Sequence, residues 1–449
     1  MRLISIRALA LTTLALAATT AFAQTAPERP TRPYRGLFGG NQDDDPNRTT
    51  QNLDFTFLAE GSYDDNVAAN LSAGAPGQYQ GSGYGAGALA LLEYRRGRTD
   101  SFFSVTGQSG IRRVEDKRQG AGGDLDYVHH AATFAGRTKL SRSTTFALDQ
   151  RVSYQPYYSL RGLPVYSAPD SGLPPVVGVD YAIESYESVQ YGTHVGINQA
   201  VGRRSNLGVG YNFNYTDFRQ ENDQLRDFTN HSANVSFSSG FTDRTDWLAN
   251  YTYQRGNYGY GRLAGSDVFE NHEAQFGIRH ERRLSPSRRL FLNASAGPSV
   301  TYAPDQAGVR QEYSGGAAAA GFGVDLARSW GLRGDYRRTI RFLDGFNQPF
   351  YSNRGTLTLS GYVTRAWSLV FNGGYDTGEV SFSGQRNYST ALAQVQSQHG
   401  LTRHIALTGT YFFYRYNYDS SVTLPDGLPG KLDRQGVRVS LVFWLPVLR

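Results

Sequence analysis

Long stretches of this chain alternate apolar and polar residues at every second position. One face of the segment around residue 210 carries Leu207, Val209, Tyr211, Phe213 and Tyr215. The residues between them are glycine or asparagine. The same alternation follows Leu53, Leu357 and Val437. A period of two over about ten residues predicts a β-strand with two unlike faces.

Short turns that carry or adjoin arginine interrupt the alternation, mostly about 40 residues apart. They lie at 96–99, 140–143, 201–204, 241–244, 284–287, 326–329, 363–366 and 401–404. Longer segments rich in Gly, Asp, Pro and Asn lie between them, such as 158–180 and 419–432. Eight short turns separate nine hairpins, which predicts 18 strands. Propeller repeats have a similar period, but a blade needs four short strands and a Trp-Asp or Gly-His signature.

Short turns on one side and long loops on the other are typical of transmembrane β-barrels. We therefore predict an all-β fold, a transmembrane antiparallel up-and-down barrel of about 18 strands. Lipid offers no partners to backbone N–H and C=O groups, so such a sheet must close on itself. The mean hydropathy of −0.47 agrees, because half of each strand would face water.

The ends of the chain differ from this pattern. Residues 1–23 have a basic start, an apolar stretch and an Ala-Phe-Ala site before Gln24, which predicts a signal peptide. Residues 24–52 contain four prolines and three consecutive aspartates, which predicts a disordered periplasmic tail. The barrel is then expected over 53–449.

Composition excludes several classes of protein. The 449 residues include no Cys, which excludes a disulfide scaffold, a thiol enzyme and an iron–sulfur protein. The 51 Gly, 30 Tyr and 25 Phe are typical of strands joined by tight turns. Tyr and Trp near strand ends are expected to anchor the barrel at the membrane interfaces. Examples are Tyr63, Tyr154, Tyr215, Trp247, Tyr375, Tyr416 and Trp444.

Arginines on the polar face of strands are the candidate selectivity residues. They are Arg137, Arg151, Arg279, Arg333, Arg337 and Arg341. In the strand from 331 to 343, alternation directs Arg333, Arg337 and Arg341 inward. The residues expected to face outward are Leu332, Tyr336, Ile340 and Phe342. A charge facing lipid at mid-bilayer costs about 2–4 kcal/mol, so the lumen is the favoured place. These arginines either pair with lumenal carboxylates and stiffen the wall or form a filter for anions.

Uncharged polar residues make up the rest of the expected lumen. They form rows at Ser232, Asn234, Ser236 and Ser238, at Asn212, Asn214 and Thr216, and at Gln394, Gln396 and Gln398. Such groups hydrogen-bond to sugars and equally suit any water-filled lumen. No catalytic motif, metal-ligand spacing or cofactor motif is present in the sequence, so we predict that the protein is not an enzyme and needs no cofactor.

One short motif resembles a known family. Tyr63, Asp64, Asp65 and Asn66 follow the first strand, and this element is similar to the start of the barrel in the outer-membrane β-barrel porin type two family of proteobacteria. The resemblance implies a porin-like barrel, and several members are encoded in exopolysaccharide clusters. Barrels usually end on an aromatic residue, whereas here Leu-Pro-Val-Leu-Arg follows Trp444.

The expected function is passive passage of hydrophilic, anionic solute across the outer membrane of a Gram-negative bacterium, with exopolysaccharide export as its specific version. The alternative is a structural or adhesive barrel whose extracellular loops bind a partner. The expected partners are outer-membrane lipid, the barrel-assembly machinery and a polysaccharide or small hydrophilic solute, with no nucleic acid.

Overall fold

A computed structural model describes most of the chain from residue 50 onward. The described residues are 50–65, 82–98, 100–116, 125–155, 187–219, 226–259, 267–285, 288–304, 309–326, 329–343, 346, 348–364, 366–380, 382, 384–424 and 430–448. The predicted signal peptide and almost all of the predicted tail lie outside these residues. No helix within the described residues is long and apolar enough to span a bilayer.

The described chain forms 18 strands. They are β1 Thr50–Asp64, β2 Gly83–Arg98, β3 Ser101–Asp116, β4 Leu125–Lys139, β5 Thr144–Gln155, β6 Ser188–Val201, β7 Ser205–Phe218, β8 Phe228–Gly240, β9 Thr245–Tyr258, β10 Asp267–Ser285, β11 Arg288–Pro304, β12 Arg310–Asp325, β13 Gly331–Arg341, β14 Phe350–Tyr362, β15 Trp367–Val380, β16 Tyr388–Gly400, β17 Ile405–Tyr418 and β18 Lys431–Leu448.

Every strand pairs antiparallel with its neighbours in sequence, and β1 pairs with β18 to close the barrel. This confirms the predicted 18-stranded antiparallel up-and-down barrel. All eight predicted turns lie at the same rim, together with the start of β1 and the end of β18. We call this the short-turn rim and the opposite one the loop rim. β1 begins at Thr50, before the predicted start at residue 53.

The two faces of the strands differ as the alternation predicts. Large apolar side chains remain exposed on the outer face, including Val209 at 50% and Ile278 at 58%. Polar residues on the inner face, such as Asn212 and Ser232, are buried. Because lipid favours apolar side chains, this outer face suits a bilayer, and the inner face suits water.

The barrel wall is irregular where β13 separates from β12. The pairing of β12 with β13 ends at Ala318 and Arg338, so residues 310–317 of β12 have no partner in β13. Tyr351 of β14 lies beside this gap and bonds to the edge of β12. Its hydroxyl donates to the Gly316 carbonyl (2.6 Å) and accepts from the Gly316 N–H (3.1 Å). A side chain thus replaces the missing backbone partner of Gly316.

Just beyond β13, Phe342 and Phe346 point into the barrel interior rather than outward. Phe342, expected to face outward, instead packs with Phe269 inside the barrel at a ring-centroid distance of 6.4 Å. Phe346 packs on Phe350 and Tyr418, with ring centroids 4.7 and 5.9 Å apart. The outward expectation for Phe342 was wrong because the strand ends at Arg341, and alternation carries no information beyond a strand's end.

Candidate lumenal site

The inner face of β13 carries three charged residues close together, two of which are predicted selectivity residues. Arg333 and Asp335 are exposed and Arg337 is half-buried. The three alternate along the strand, so Asp335 lies between the two guanidinium groups. Arg354 of β14 is directly opposite Arg337 in the sheet. Three arginines therefore surround Asp335, and Glu273 of β10 also lies close to Arg337, so this part of the wall keeps a net positive charge.

Arg341, at the loop-side end of β13, has a different environment. Its guanidinium donates to Asp376 of β15 at 2.6 Å. Asp376 is fully buried and also accepts hydrogen bonds from Ser352 (2.6 Å) and Tyr388 (3.1 Å). A buried carboxylate with three donors is a structural element, because removing its cation would leave an uncompensated buried charge.

The remaining predicted arginines are spread around the wall. Arg279 of β10 donates to Asp246 of β9 through Nε (3.0 Å) and Nη2 (2.5 Å). Arg151 of β5 is half-buried and lies two positions from Asp149 on the same face. Arg137 of β4 is exposed near the short-turn rim. The six arginines therefore do not form one ring, and only Arg333, Arg337 and Arg341 share a strand.

The motif at the end of β1 joins the first and last strands. Asp64 accepts from Arg434 of β18 through Nε (2.8 Å) and Nη2 (2.5 Å), and both residues are buried. The side chain of Asp65 accepts from the backbone N–H of Gln435 at 2.8 Å. Tyr63 lies on the outer face against Tyr84, with ring centroids 5.5 Å apart.

These contacts give the motif a role in closing the barrel. Asp64 and Asp65 reach across the seam between β1 and β18, where the two ends of the chain meet. The sequence alone did not indicate this role, because Asp64 and Arg434 are 370 residues apart. Asn66, the last residue of the motif, lies outside the described residues.

Aromatic residues fill the interior near the loop rim between β14 and β18. Phe412, Tyr414, Tyr416 and Tyr418 alternate along the inner face of β17 and are at most 5% exposed. Phe346, Phe350, Tyr388 and Val422 belong to the same cluster, together with Phe218 from β7. The cluster therefore extends from one side of the barrel to the other and narrows the interior.

Sequence reasoning missed this narrowing. Tyr416 was expected in the outer interfacial belt, and the structure places it on the inner face with no exposed surface. The available signal was the run Tyr-Phe-Phe-Tyr-Arg-Tyr-Asn-Tyr at the end of β17, in which every residue of one alternating set is aromatic. Phe346 lies outside any strand and carried no signal of its own.

A second aromatic cluster lies on the opposite inner wall. It contains Phe228, Tyr258 and Phe269 of β8, β9 and β10, with Phe342 and Phe382 packed against it. The Tyr258 hydroxyl lies 3.5 Å from the Gln348 carbonyl. Phe342 thus packs against this cluster, whereas Phe346, four residues later, belongs to the first one.

The predicted rows of amides and hydroxyls also lie on the inner face. Gln394, Gln396 and Gln398 of β16 are at most 5% exposed. Among the described residues, both amide atoms of Gln394 and of Gln398 are buried without a protein hydrogen-bond partner. Buried amides bind water when no protein group is available, so this part of the wall suits a hydrated interior. In the part of the chain that the structure describes, no group of three or more His, Asp or Glu residues could hold a metal ion.

Comparisons with known proteins give similarities of shape only. No protein-family model matches the chain, and no curated protein is similar enough in sequence to match. Among solved structures, Pseudomonas aeruginosa OccK7 (OpdD) has a TM-score of 0.45 and 11% identity, covering 89% of this chain and 100% of that one. Acinetobacter baumannii OccAB2 has a TM-score of 0.45 and 9% identity, covering 89% and 98%. Pseudomonas aeruginosa OccK8 (OprE) has a TM-score of 0.45, 12% identity and the same coverage as OccAB2. Similarity at this level transfers neither substrate nor mechanism.

Proposed function

We propose that this barrel lies in the outer membrane of a Gram-negative bacterium and passes hydrophilic solutes through its interior, with a preference for anions. The observation that carries the proposal is the cationic wall of β13 and β14. Arg333, Arg337 and Arg354 there surround Asp335. Rings or rows of arginine in a channel wall attract anionic solutes and repel cations.

The membrane location is supported by the outer face. Apolar side chains cover it around the whole circumference, for example Leu92, Val235 and Val439 at 44–50% exposure. A closed barrel leaves no unpaired strand edges in lipid, apart from the stretch of β12 at which Tyr351 supplies a partner. Exposed apolar surface of this extent would be unfavourable in water.

The proposal is tested by reconstituting the purified chain into planar lipid bilayers. We expect discrete conductance steps and a reversal potential that indicates anion preference in a KCl gradient. The preference should be stronger near 0.1 M salt than near 1 M, because the Debye length falls from about 10 Å to about 3 Å. Cation preference at low salt would contradict the proposed anion selectivity.

Export of an anionic exopolysaccharide is the narrower form of this proposal. Its test compares a uronic-acid oligosaccharide with a neutral oligosaccharide of equal length, each added to one side of the bilayer. We expect the anionic sugar to interrupt the current at lower concentration than the neutral one. Equal concentrations for both sugars would leave general passage of small anions as the function.

A structural or adhesive barrel is the second candidate, and the aromatic cluster favours it. Tyr414, Tyr416 and Phe346 occupy interior volume that an unobstructed channel would leave to water. In that case the folded protein would insert into the bilayer and show no conductance steps.

A further inference from the structure

The outer wall carries a groove between β10 and β15. Its volume is about 920 Å³, and its surface is almost entirely apolar. Small residues, among them Ala294, Ala320 and Gly355, form its floor. Larger side chains such as Ile278, Phe322 and Tyr375 border it. The volume lies in the range of sites that hold small organic ligands, roughly 300–1,000 Å³.

The position of the groove restricts what can enter it. Its bordering side chains belong to the outward set of their strands, including Phe322 at 39% and Tyr375 at 53% exposure. If the barrel spans a membrane, as proposed above, the groove opens into the lipid phase. Its occupant must then come from the bilayer.

A cation lies at the loop-side end of the groove. Arg338 follows Tyr336, a groove residue, by two positions on the same outward face, and is exposed. Its Nε donates to the Tyr351 hydroxyl at 2.7 Å, and its guanidinium carbon lies 4.8 Å from the centre of the Tyr351 ring. Within the described residues, no carboxylate forms an ion pair with Arg338. Its other N–H groups therefore remain available to an anion.

Other outward-facing arginines near the loop rim differ in this respect. Arg310 of β12 pairs with Glu270 of β10 at 2.7 Å, and Arg415 of β17 pairs with Asp433 of β18 at 3.2 Å. Arg255 also lies 4.0 Å from Glu270. A guanidinium at a lipid-facing position is costly unless an anion or the interface compensates it. Among the described residues, Arg338 lacks the protein anion that these three arginines have.

We propose that the groove and Arg338 together bind one membrane lipid with a phosphate-bearing head group. An acyl chain lies in the groove over Ala320 and Gly355, and the phosphate accepts hydrogen bonds from Arg338. Guanidinium and phosphate match in charge and in geometry, since two parallel N–H groups can bind two oxygens. Tyr351 holds the guanidinium in place through Nε. The inference rests on the proposed membrane location and adds a specific lipid site to it.

The test uses a fluorescent label beside the groove. The chain has no Cys, so Leu359→Cys introduces a single thiol on the outward face of β14, two positions from the groove residue Leu357. The full-length protein, labelled with bimane at this thiol, is reconstituted into vesicles of ordinary phosphatidylcholine. A second lipid with brominated acyl chains is added to the vesicles, either brominated phosphatidylglycerol or brominated phosphatidylcholine. Bromine quenches the label only when the brominated chain lies next to it.

We expect brominated phosphatidylglycerol to reach half-maximal quenching at about fivefold lower mole fraction than brominated phosphatidylcholine, which is the effect of one Arg near the surface. Arg338→Gln and Gly355→Leu should each remove that preference. A Cβ atom added at Gly355 would meet no other atom within 4 Å, so leucine there fills the groove without a clash.

Two controls are matched to these variants. Gly409→Leu adds the same side chain at another open outward position, with nothing within 4 Å, and should keep the preference. Arg415→Gln removes an outward arginine that has its own carboxylate and should also keep it. Equal quenching by the two lipids, or an unchanged preference in Arg338→Gln, would overturn the lipid site.

Two further outcomes separate this inference from its premises. Strong quenching by both lipids without preference would leave the membrane location intact and remove only the lipid site. Absence of quenching by either lipid would contradict the membrane location itself. Disulfide-linked dimers formed by unlabelled Leu359→Cys under oxidation would place a second copy of the chain on this face and overturn the proposal.

Discussion

β13 and β17 are strands of the same barrel with the same alternation, and their inner faces are opposite in character. The inner face of β13 carries Arg333, Asp335 and Arg337, and Arg333 and Asp335 are exposed. The inner face of β17 carries Phe412, Tyr414, Tyr416 and Tyr418, all nearly or fully buried. One strand presents charge to the interior, and the other presents a packed aromatic surface.

The difference follows from what lies opposite each strand. The half of β17 nearest the loop rim faces Phe346 and Val422. Phe346 follows β13 in the chain and Val422 follows β17, and both supply apolar contacts inside the barrel. On the outer face of the same half of β17, Arg415 pairs with Asp433, so the outer face there is polar. Near the loop rim of β17 the usual arrangement of apolar outside and polar inside is therefore reversed. The charged part of β13 has no such apolar cover among the described residues.

The largest expected effect comes from the ion pair between Arg341 at the end of β13 and Asp376 of β15. Asp376→Ala leaves Arg341 without its carboxylate in a largely buried site. We expect the free energy of unfolding to fall by about 3–5 kcal/mol. Urea unfolding of the protein in vesicles, followed by tryptophan fluorescence, measures it. The matched control is Asp243→Ala, which breaks the exposed pair with Arg204 at the short-turn rim and should cost less than about 1 kcal/mol. Equal losses for the two variants would show that burial does not set the strength of these pairs.

The aromatic face of β17 is tested by shortening one ring. Tyr416→Ala should destabilise the barrel by about 3 kcal/mol, because removal of a fully buried ring leaves a cavity. It should also raise single-channel conductance, since the removed ring narrows the interior. Tyr416→Phe is the control and should be nearly neutral, because the hydroxyl has no protein partner among the described residues. Unchanged conductance in Tyr416→Ala would place the ion path elsewhere in the barrel.

The gap beside β13 is tested through the hydroxyl that fills it. Tyr351→Phe keeps the ring and removes the partner of both backbone groups of Gly316 and of Arg338 Nε. We expect a loss of about 1–3 kcal/mol in the free energy of unfolding, the cost of unsatisfied polar groups. Faster hydrogen exchange should be confined to β12 and β13. Uniformly faster exchange in all strands would contradict a local role.

The smallest effect on stability is expected from the two arginines beside Asp335. Arg333→Gln combined with Arg337→Gln should lower the unfolding free energy by less than about 1 kcal/mol, because both side chains are at least partly exposed. The anion-to-cation permeability ratio should nevertheless fall at low salt, since two fixed charges leave the lumen. Arg415→Gln, on the outer face, is the control and should leave the ratio unchanged. A reversal potential that does not move in the double variant would give Arg333 and Arg337 a structural role.

Local patterns in the sequence were enough to predict the strand number, the common rim of the short turns and the face of most side chains. Period-two alternation and turn residues are local properties, and a barrel of sequential hairpins repeats them without long-range rearrangement. Arg333, Arg337 and Arg341 accordingly share one face of β13.

Which residues pack against or pair with the inner face of each strand depends instead on the whole fold. Alternation groups Tyr416 with Tyr414 but does not reveal that Phe346, about 70 residues away in sequence, packs against that region. Likewise, a buried carboxylate partner separates Arg341 from Arg333, although the two lie on the same strand face. The link between Asp64 and Arg434 depends on closure, which brings the two ends of the chain together. Burial and charge pairing depend on residues distant in sequence, and a local pattern carries no information about them.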